Sequence, residues 1–160
     1  MTIDDITTAA LHIERVGFTE PVARQLVAQA LADLGSRYGG EGDETPVDPA
    51  DFAAPNGAFL VAYRGETPVG CGAWRSHGDG TAELKRMYTV PAARGTGVAT
   101  AVLAAVEADA RRAGRTRIIL ETGGKQPEAI ALYGKLGYRR IPNYGYYADE
   151  PDCLSFARDL

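Results

Sequence analysis

Between Glu83 and Ala113 the chain places a strand, a proline stop, a glycine turn and a helix in direct succession. That order commits it to a layered fold in which a strand feeds a helix packed on its own sheet. Leu84, Met87, Tyr88, Thr89 and Val90 read as strand, and Pro91, having no N–H for a ladder, ends it. Arg94-Gly95-Thr96-Gly97-Val98-Ala99 follows, and a helix opens directly from it. Val98, Val102, Leu103 and Val106 recur at helical spacing, while Ala101, Ala105 and Ala108 are small enough for close packing on a sheet. Arg111 and Arg112 suit the negative end of the helix dipole, and Gly114 stops the helix.

A strand, a glycine turn and a helix together present backbone N–H groups to an anion. The first amides of a helix have no partner inside it, and its dipole end is partly positive. Gly95 and Gly97 remove Cβ atoms that would hold phosphate oxygens away. Arg94 adds a fork-shaped donor. The same residues also suit a tight strand-to-helix turn that holds no ligand. A dinucleotide fingerprint is excluded, because the third glycine and the later acid are missing. A P-loop is excluded too, because no Gly-Lys-Ser/Thr follows. The ligand expected is phosphate-bearing, and neither NAD nor ATP.

The chain has 160 residues, enough for one domain (1–160) with a substantial core. Its 45% hydrophobic and 24% charged residues are those of an ordinary globular protein. A net charge of −4 argues against nucleic acid as a partner. No apolar run reaches the roughly 18–20 residues that would span a membrane, and Met1-Thr2-Ile3-Asp4-Asp5 lacks a signal peptide's basic and apolar regions. Cys71 and Cys153 are too few for a disulfide framework. A cytoplasmic protein is expected. His12 and His77 lie far apart with no Cys/His cluster, so no metal site is expected.

Along the chain, Leu11, Ile13 and Val16 fit a first strand. Thr19-Glu20-Pro21 starts a helix with a capping hydroxyl, an acid and a first-turn proline, and Gly35 is expected to end it. A glycine-, proline- and acid-rich loop fills 37–55, with one short helical turn from Asp48-Pro49 to near Phe52. Two strands, 58–64 and 68–76, form a hairpin through Gly65-Glu66-Thr67. His77-Gly78-Asp79-Gly80 turns the chain into the central strand. After the long helix, 118–121 should return parallel to that strand by a right-handed crossover. A second amphipathic helix over 126–136 and closing strands at 139–141 and 154–157 complete a mixed α+β order.

Three ordered segments carry a family resemblance. Arg94-Gly95-Thr96-Gly97-Val98-Ala99 resembles the Q/R-x-x-G-x-G/A signature of the GNAT superfamily of acyl-CoA-dependent N-acetyltransferases. Leu120-Glu121-Thr122-Gly123 follows in place, and Ala129 to Tyr138 is similar to the A-x-x-L-Y-x-x-x-G-F segment, with Tyr138 standing for Phe. The resemblance covers about residues 58–160. It implies the GNAT fold: a central mixed, mostly antiparallel sheet splayed between two parallel strands and flanked by helices. It also implies acetyl-CoA as cosubstrate, its pantetheine paired with the backbone of Met87, Tyr88 and Thr89 and its pyrophosphate on Arg94, Gly95, Thr96, Gly97, Val98 and Ala99. Gln126 stands where the family often has Asn, and its amide could make a similar polar contact. The expected reaction is acetyl transfer to a primary amine, of a small molecule, by direct attack in a ternary complex. Protein lysine or N-terminal acetylation and a non-catalytic acyl-CoA-binding module are the alternatives. The resemblance also admits a homodimer.

That reaction has to dispose of a proton. A lysine-like amine with a pKa near 10.4 costs about 4–5 kcal/mol to hold as free base at pH 7, and a nearby carboxylate can accept the proton directly or through water. Glu83, eleven residues before Arg94, occupies the position of the catalytic glutamate in the histone-acetyltransferase branch and is the candidate base. Its structural alternative is an exposed strand residue paired with Lys85 on the same face. Glu121, at the end of the strand facing the gap, ranks below Glu83 as a second base, because Leu120-Glu121-Thr122-Gly123 could simply shape the end of that strand. Tyr133 corresponds to the family's tyrosine that hydrogen-bonds the departing thiolate; otherwise it is a core residue. Cys71 has no local His–Asp arrangement to make it a nucleophile and reads as a small buried strand residue. The same resemblance implies that the acceptor enters between the loops 37–52 and 142–151. Glu41, Asp43, Glu44, Asp48, Asp149 and Glu150 bias these loops toward cationic amines, and Tyr144, Tyr146 and Tyr147 could wall the site. Arg37 or Lys85 could equally hold an amino-acid carboxylate.

Overall fold

The computed structural model describes residues 3–160; Met1 and Thr2, part of the N-terminal segment read above, lie outside the described residues. In chain order the elements are α1 (Ile3–Thr8), β1 (Leu11–Arg15), α2 (Pro21–Tyr38), β2 (Gly57–Arg64), β3 (Thr67–Ser76), β4 (Thr81–Thr89), α3 (Val98–Arg112), β5 (Arg117–Gly123), α4 (Pro127–Lys135), β6 (Arg139–Ile141) and β7 (Cys153–Asp159). The strands make one seven-stranded sheet, ordered β1-β2-β3-β4-β5-β7-β6. Every neighbouring pair is antiparallel except β4 and β5. The expected mixed, mostly antiparallel sheet with a single parallel junction is therefore present.

Helices cover both faces. Val98, Val102, Leu103 and Val106 turn the apolar stripe of α3 onto Leu60, Leu84 and Leu120, and α4 adds Tyr133. On the opposite face Ala23 and Leu26 of α2 meet Phe59, Val61, Cys71 and Ala73. Side chains as completely buried as Leu103 each contribute about 1.5–3 kcal/mol by leaving water. Asp109 of α3 is buried as well, and it accepts a 2.7 Å hydrogen bond from Trp74 Nε1.

The start and end of α2 differ from the sequence reading. Glu20, not Thr19, is the residue before the helix, and no side chain caps it; Pro21 opens the first turn as expected. Gly35 lies inside the helix, which runs on to Tyr38 before Gly39 turns out at φ 79°. A Cβ at Gly35 would stand 2.8 Å from Gly40 O, so this glycine lets the returning loop cross the last turn closely. α1 is not among the elements expected from sequence; it packs Ile6 onto the core. The short turn at Pro49–Phe52 is a 3-10 helix closed by a reciprocal capping box between Asp48 and Asp51.

Strand β4 carries the one irregularity that matters for the site. Tyr88 pairs with Cys71 and Lys85 with Ala73, so Gly72 alone faces the extra length at Arg86 and Met87. This is a bulge, and Arg86 sits in it at φ 58°. Gly72 is required opposite: a Cβ there would meet Met87 Sδ at 2.6 Å and Val102 Cγ1 at 2.7 Å.

Candidate functional site

The parallel pairing of β4 with β5 lasts three residues, from Thr81–Arg117 to Glu83–Ile119, and then the strands part. From Leu84 onward β4 has no strand on that side, although β3 still holds its other edge as far as Thr89. The gap opens into a cavity of about 410 Å³. Its walls include Met87 and Tyr88 of β4, Leu120 and Glu121 of β5, α2, the loop around Asp43, Gln126 and Tyr133. Free backbone N–H and C=O groups along a strand edge are an obligatory hydrogen-bonding surface for water or an extended ligand.

At the far end of β4 the glycine turn feeds α3. Gly97 precedes the helix at φ 90° and Gly95 lies at φ 77°, a region costly for residues with a Cβ. The helical ladder begins when Ala101 N–H donates to Gly97 O. The N–H groups from Gly95 to Thr100 therefore have no acceptor among the described residues. A Cβ at either glycine would touch nothing within 4 Å, so the turn faces open space. Amides converging on open space at a helix start suit a diphosphate. Arg94 is partly engaged: its Nε donates to Thr89 O at 3.1 Å, and its guanidinium stands 3.6 Å from Asp33 of α2. Gln126 occupies the residue before α4 and lines the cavity, with no capping bond from its side chain.

Tyr133 comes from the α3 and α4 side of the sheet and reaches the cavity between the parted strands. Only 5% of it is exposed, and its ring lies beside Tyr138 and Phe156. Its hydroxyl has no hydrogen-bond partner among the described residues, and burial pushes its pKa well above the ordinary phenol value.

Glu83 differs most from expectation. It is 3% exposed and neither an open strand carboxylate nor part of the cavity wall. Its Oε1 accepts from Arg75 Nε at 2.8 Å and its Oε2 from the Tyr144 hydroxyl at 2.7 Å. Arg75 is its direct neighbour across β3 and β4, so this is a cross-strand pair. Burial together with the Glu83 charge drives the Tyr144 phenol far upward, keeping its proton in the shared bond. Lys85 does not pair with Glu83. Its Nζ reaches Asp43 Oδ2 at 2.9 Å, and Arg86 Nη1 meets the same oxygen at 2.6 Å.

Glu121 does line the cavity. Its Oε1 accepts from Tyr147 N–H at 3.3 Å, and Cys153 Sγ lies 3.9 Å away. The loops 37–52 and 142–151 meet above it, where the Glu44 N–H donates a 2.6 Å hydrogen bond to the Tyr147 hydroxyl oxygen. Of the six acidic loop residues named from sequence, Asp43 is paired with two cations, Lys85 and Arg86, and so adds no net negative charge to the site. Lys85 is likewise not free to hold a substrate carboxylate, and Arg37 pairs with Asp33 and Glu128. Burial pushes the Cys71 thiol up to about 12, so it is inert as a nucleophile at neutral pH. Sequence reading missed the Asp43 clamp and the Tyr144–Glu83 bond. Their partners lie 42 and 61 residues apart in the chain, and no local pattern links them.

Comparison with known proteins agrees with this geometry. The acetyltransferase (GNAT) family matches residues 22–138. An IAA acetyltransferase of Azospirillum brasilense is 37% identical over 137 residues, covering 85% of this chain and 89% of that protein. The uncharacterized N-acetyltransferase YjgM of Escherichia coli K12 is 33% identical over 139 residues, covering 76% and 83%. Among solved structures, a protein of Klebsiella pneumoniae proposed to be an acyl-CoA N-acyltransferase superposes with a TM-score of 0.79 at 28% identity, covering 96% of this chain and 99% of that one. A GNAT family acetyltransferase of Elizabethkingia anophelis with acetyl-CoA bound shares the fold, with a TM-score of 0.68 at 16% identity, covering 94% and 98%.

Proposed function

The chain belongs to the GNAT acetyltransferase family, and from that membership we propose that it transfers an acetyl group from acetyl-CoA to the primary amine of a small molecule, by direct attack in a ternary complex. The observation that carries this reading is the parting of β4 from β5 beyond Glu83 and Ile119, in line with the open amides of Gly95 to Thr100. The residues fit the cosubstrate: Met87, Tyr88 and Thr89 offer backbone edge, and Arg94 to Ala99 offer a diphosphate seat. Gln126 supplies a side-chain amide between them. When bound, acetyl-CoA supplies an activated acyl carbon and a thiolate leaving group.

The chain's own residues then do three things. The strand edge and the helix start orient the thioester toward the cavity between β4 and β5. The Tyr133 hydroxyl hydrogen-bonds the sulfur as it leaves; a phenol raised by burial stabilises the thiolate without surrendering its proton. Glu83 on β4 and Glu121 on β5 share the face of the sheet opposite α3 and form the proton-accepting end. An amine with an ordinary pKa needs that end at neutral pH, since about 4–5 kcal/mol separates its charged and free forms.

A small-molecule acceptor is favoured over a peptide because the two loops above Glu121 are joined by the Glu44–Tyr147 contact, which roofs the cavity. A cytoplasmic setting is part of the proposal and agrees with two unpaired cysteines, both buried. Among the described residues no helix is long and apolar enough to cross a membrane. The test is thiol release from acetyl-CoA across amines, amino acids, polyamines and aminoglycosides, beside calorimetry with coenzyme A. Saturable amine-dependent release is expected. Absence of any heat of association with coenzyme A would refute the reading.

A further inference from the structure

Two carboxylates share the proton-accepting end, and the structure gives them unlike surroundings. Both oxygens of Glu83 are engaged, one by a guanidinium and one by a phenol, and the group stands behind the cavity wall. Glu121 lies in the wall, half-buried, with no cation within salt-bridge distance among the described residues. Among the described residues only its Oε1 accepts hydrogen bonds, from Tyr147 N–H and weakly from Cys153 Sγ. We infer that Glu121 is the carboxylate that touches the acceptor nitrogen and takes its proton, and that Glu83 is a positioning residue acting through Tyr144.

The link between them is the loop that follows β6. Tyr144 is anchored by Glu83, and Gly145, the next residue, lies flat against the Glu121 carboxylate. A Cβ on Gly145 would stand 2.5 Å from Glu121 Oε1 and 2.7 Å from Oε2. Two residues further on, Tyr147 donates its N–H to Glu121. Glu83 thus fixes the start of a four-residue stretch that holds Glu121 in place by one close contact and one hydrogen bond. Arg75 completes the support. It bonds Glu83 and also donates to Pro46 O at 2.9 Å, tying in the loop on the other side of the cavity.

The electrostatics agree with this division. Glu121 titrates above the ordinary carboxylate value, chiefly through burial; Lys85 and the Tyr147 N–H oppose the rise, and the Glu83 and Asp43 charges add to it. A carboxylate raised toward neutrality is a better match for proton transfer near pH 7. In the step itself the ammonium first gives one proton to Glu121, which becomes a carboxylic acid. The freed nitrogen lone pair forms the N–C bond to the thioester carbon. The C–S pair leaves with sulfur, and the second nitrogen proton of the amide-forming centre passes to solvent or to the thiolate.

This inference rests on the proposed acetyl transfer. It is tested by kcat/KM against pH for Glu121→Gln, Glu83→Gln and Tyr144→Phe with an amine that the wild-type protein acetylates, with calorimetry of coenzyme A on each. Glu121→Gln should lose about 10²- to 10⁴-fold at pH 7, recover as pH rises toward the amine pKa, and bind coenzyme A within twofold of wild type. Glu83→Gln and Tyr144→Phe should share a smaller defect that raises KM and is the same at every pH. Glu121→Gln with wild-type kcat/KM and profile, or Glu83→Gln with the pH-recovering loss, overturns the assignment while leaving acetyl transfer intact. A wild-type protein that binds coenzyme A yet acetylates no amine overturns the parent reading and this assignment with it.

Discussion

Asp43→Asn should weaken the whole protein, because one carboxylate neutralises two buried cations. Asp43 Oδ2 lies 2.9 Å from Lys85 Nζ and 2.6 Å from Arg86 Nη1, and the three side chains are 17%, 7% and 5% exposed. Removing one partner of such a buried arrangement costs about 3–5 kcal/mol, since the remaining charge is left without compensation. Asparagine keeps an acceptor oxygen, which places the expected loss near the lower bound, about 3 kcal/mol. Against a typical stability of about 5–15 kcal/mol that is a large fraction, and it corresponds to a melting point roughly 6–12 °C lower for a chain of this size. The sign of the pH dependence follows from the carboxyl. Burial opposes its ionisation, but Lys85, Thr45 and Arg86 outweigh burial and hold its pKa well below the ordinary 3.8. Its contribution is therefore complete above about pH 4, the unfolded value, and is lost as pH falls from there through the lower folded value. Urea unfolding of both proteins at pH 7 and at steps below pH 4 should show the gap closing with acid. A variant within about 0.5 kcal/mol of wild type at pH 7 would refute the reasoning, as would a gap that acid does not narrow.

Tyr133→Phe should lower kcat by about 10- to 100-fold, the worth of a hydrogen bond to a charged group, with the calorimetric affinity for coenzyme A unchanged; unaltered turnover at saturating acceptor removes the hydroxyl from the mechanism. Gly97→Ala forces a Cβ onto a residue at φ 90°, so a stability loss of about 1–2 kcal/mol and a tenfold or larger rise in the Kd for coenzyme A are expected. An affinity equal to wild type would show that the amides of this turn do not hold the ligand. Cys71, buried and pushed up to about 12, should resist iodoacetamide in the native protein while modifying readily in urea; rapid native labelling monitored by mass spectrometry would contradict its burial.

Much of the fold is legible because its signals are local. The hairpin of β2 and β3, the proline that ends β4 and the glycine stop after α3 each depend on residues that are neighbours in the chain. Gly114 takes φ 86° just past α3, where the sequence places the stop. Gly35 carries the same local signal and yet does not end α2: it is a site of close approach to Gly40, and only the path of the returning loop reveals that. Likewise the alternation of β4 puts Glu83 and Lys85 on one face, which suggests a pair. Each instead finds its partner elsewhere, Glu83 in Arg75 and Tyr144, Lys85 in Asp43. Face is fixed by local geometry, but partner is fixed by which loop arrives, and two charges on the same face interact only if nothing better reaches them.

The two halves of the cleft differ in what builds them, and that difference decides what a sequence can reveal. The proposed cosubstrate side is mostly backbone: an unpaired strand edge from Leu84 onward and the open amides from Gly95 to Thr100. Backbone donors need only that strand, turn and helix form in order, and a few glycines with a proline suffice to write that order. The proposed acceptor side is built from side chains carried by distant segments. Asp43 precedes β2, Arg75 lies on β3, Glu121 lies on β5, and Tyr144 with Tyr147 follows β6. These groups meet because the two loops fold over the parting of β4 and β5, and each is held by another: Asp43 by Lys85 and Arg86, Tyr144 by Glu83, Tyr147 by Glu121. On the proposed reading, the acceptor can be changed through loop residues such as Asp43, Tyr144 and Tyr147, with the donor seat left untouched. On that reading, chemistry at the thioester end can stay fixed while specificity changes at the other, and the two proposed ends are joined by β4, the strand that carries both the free edge and Glu83.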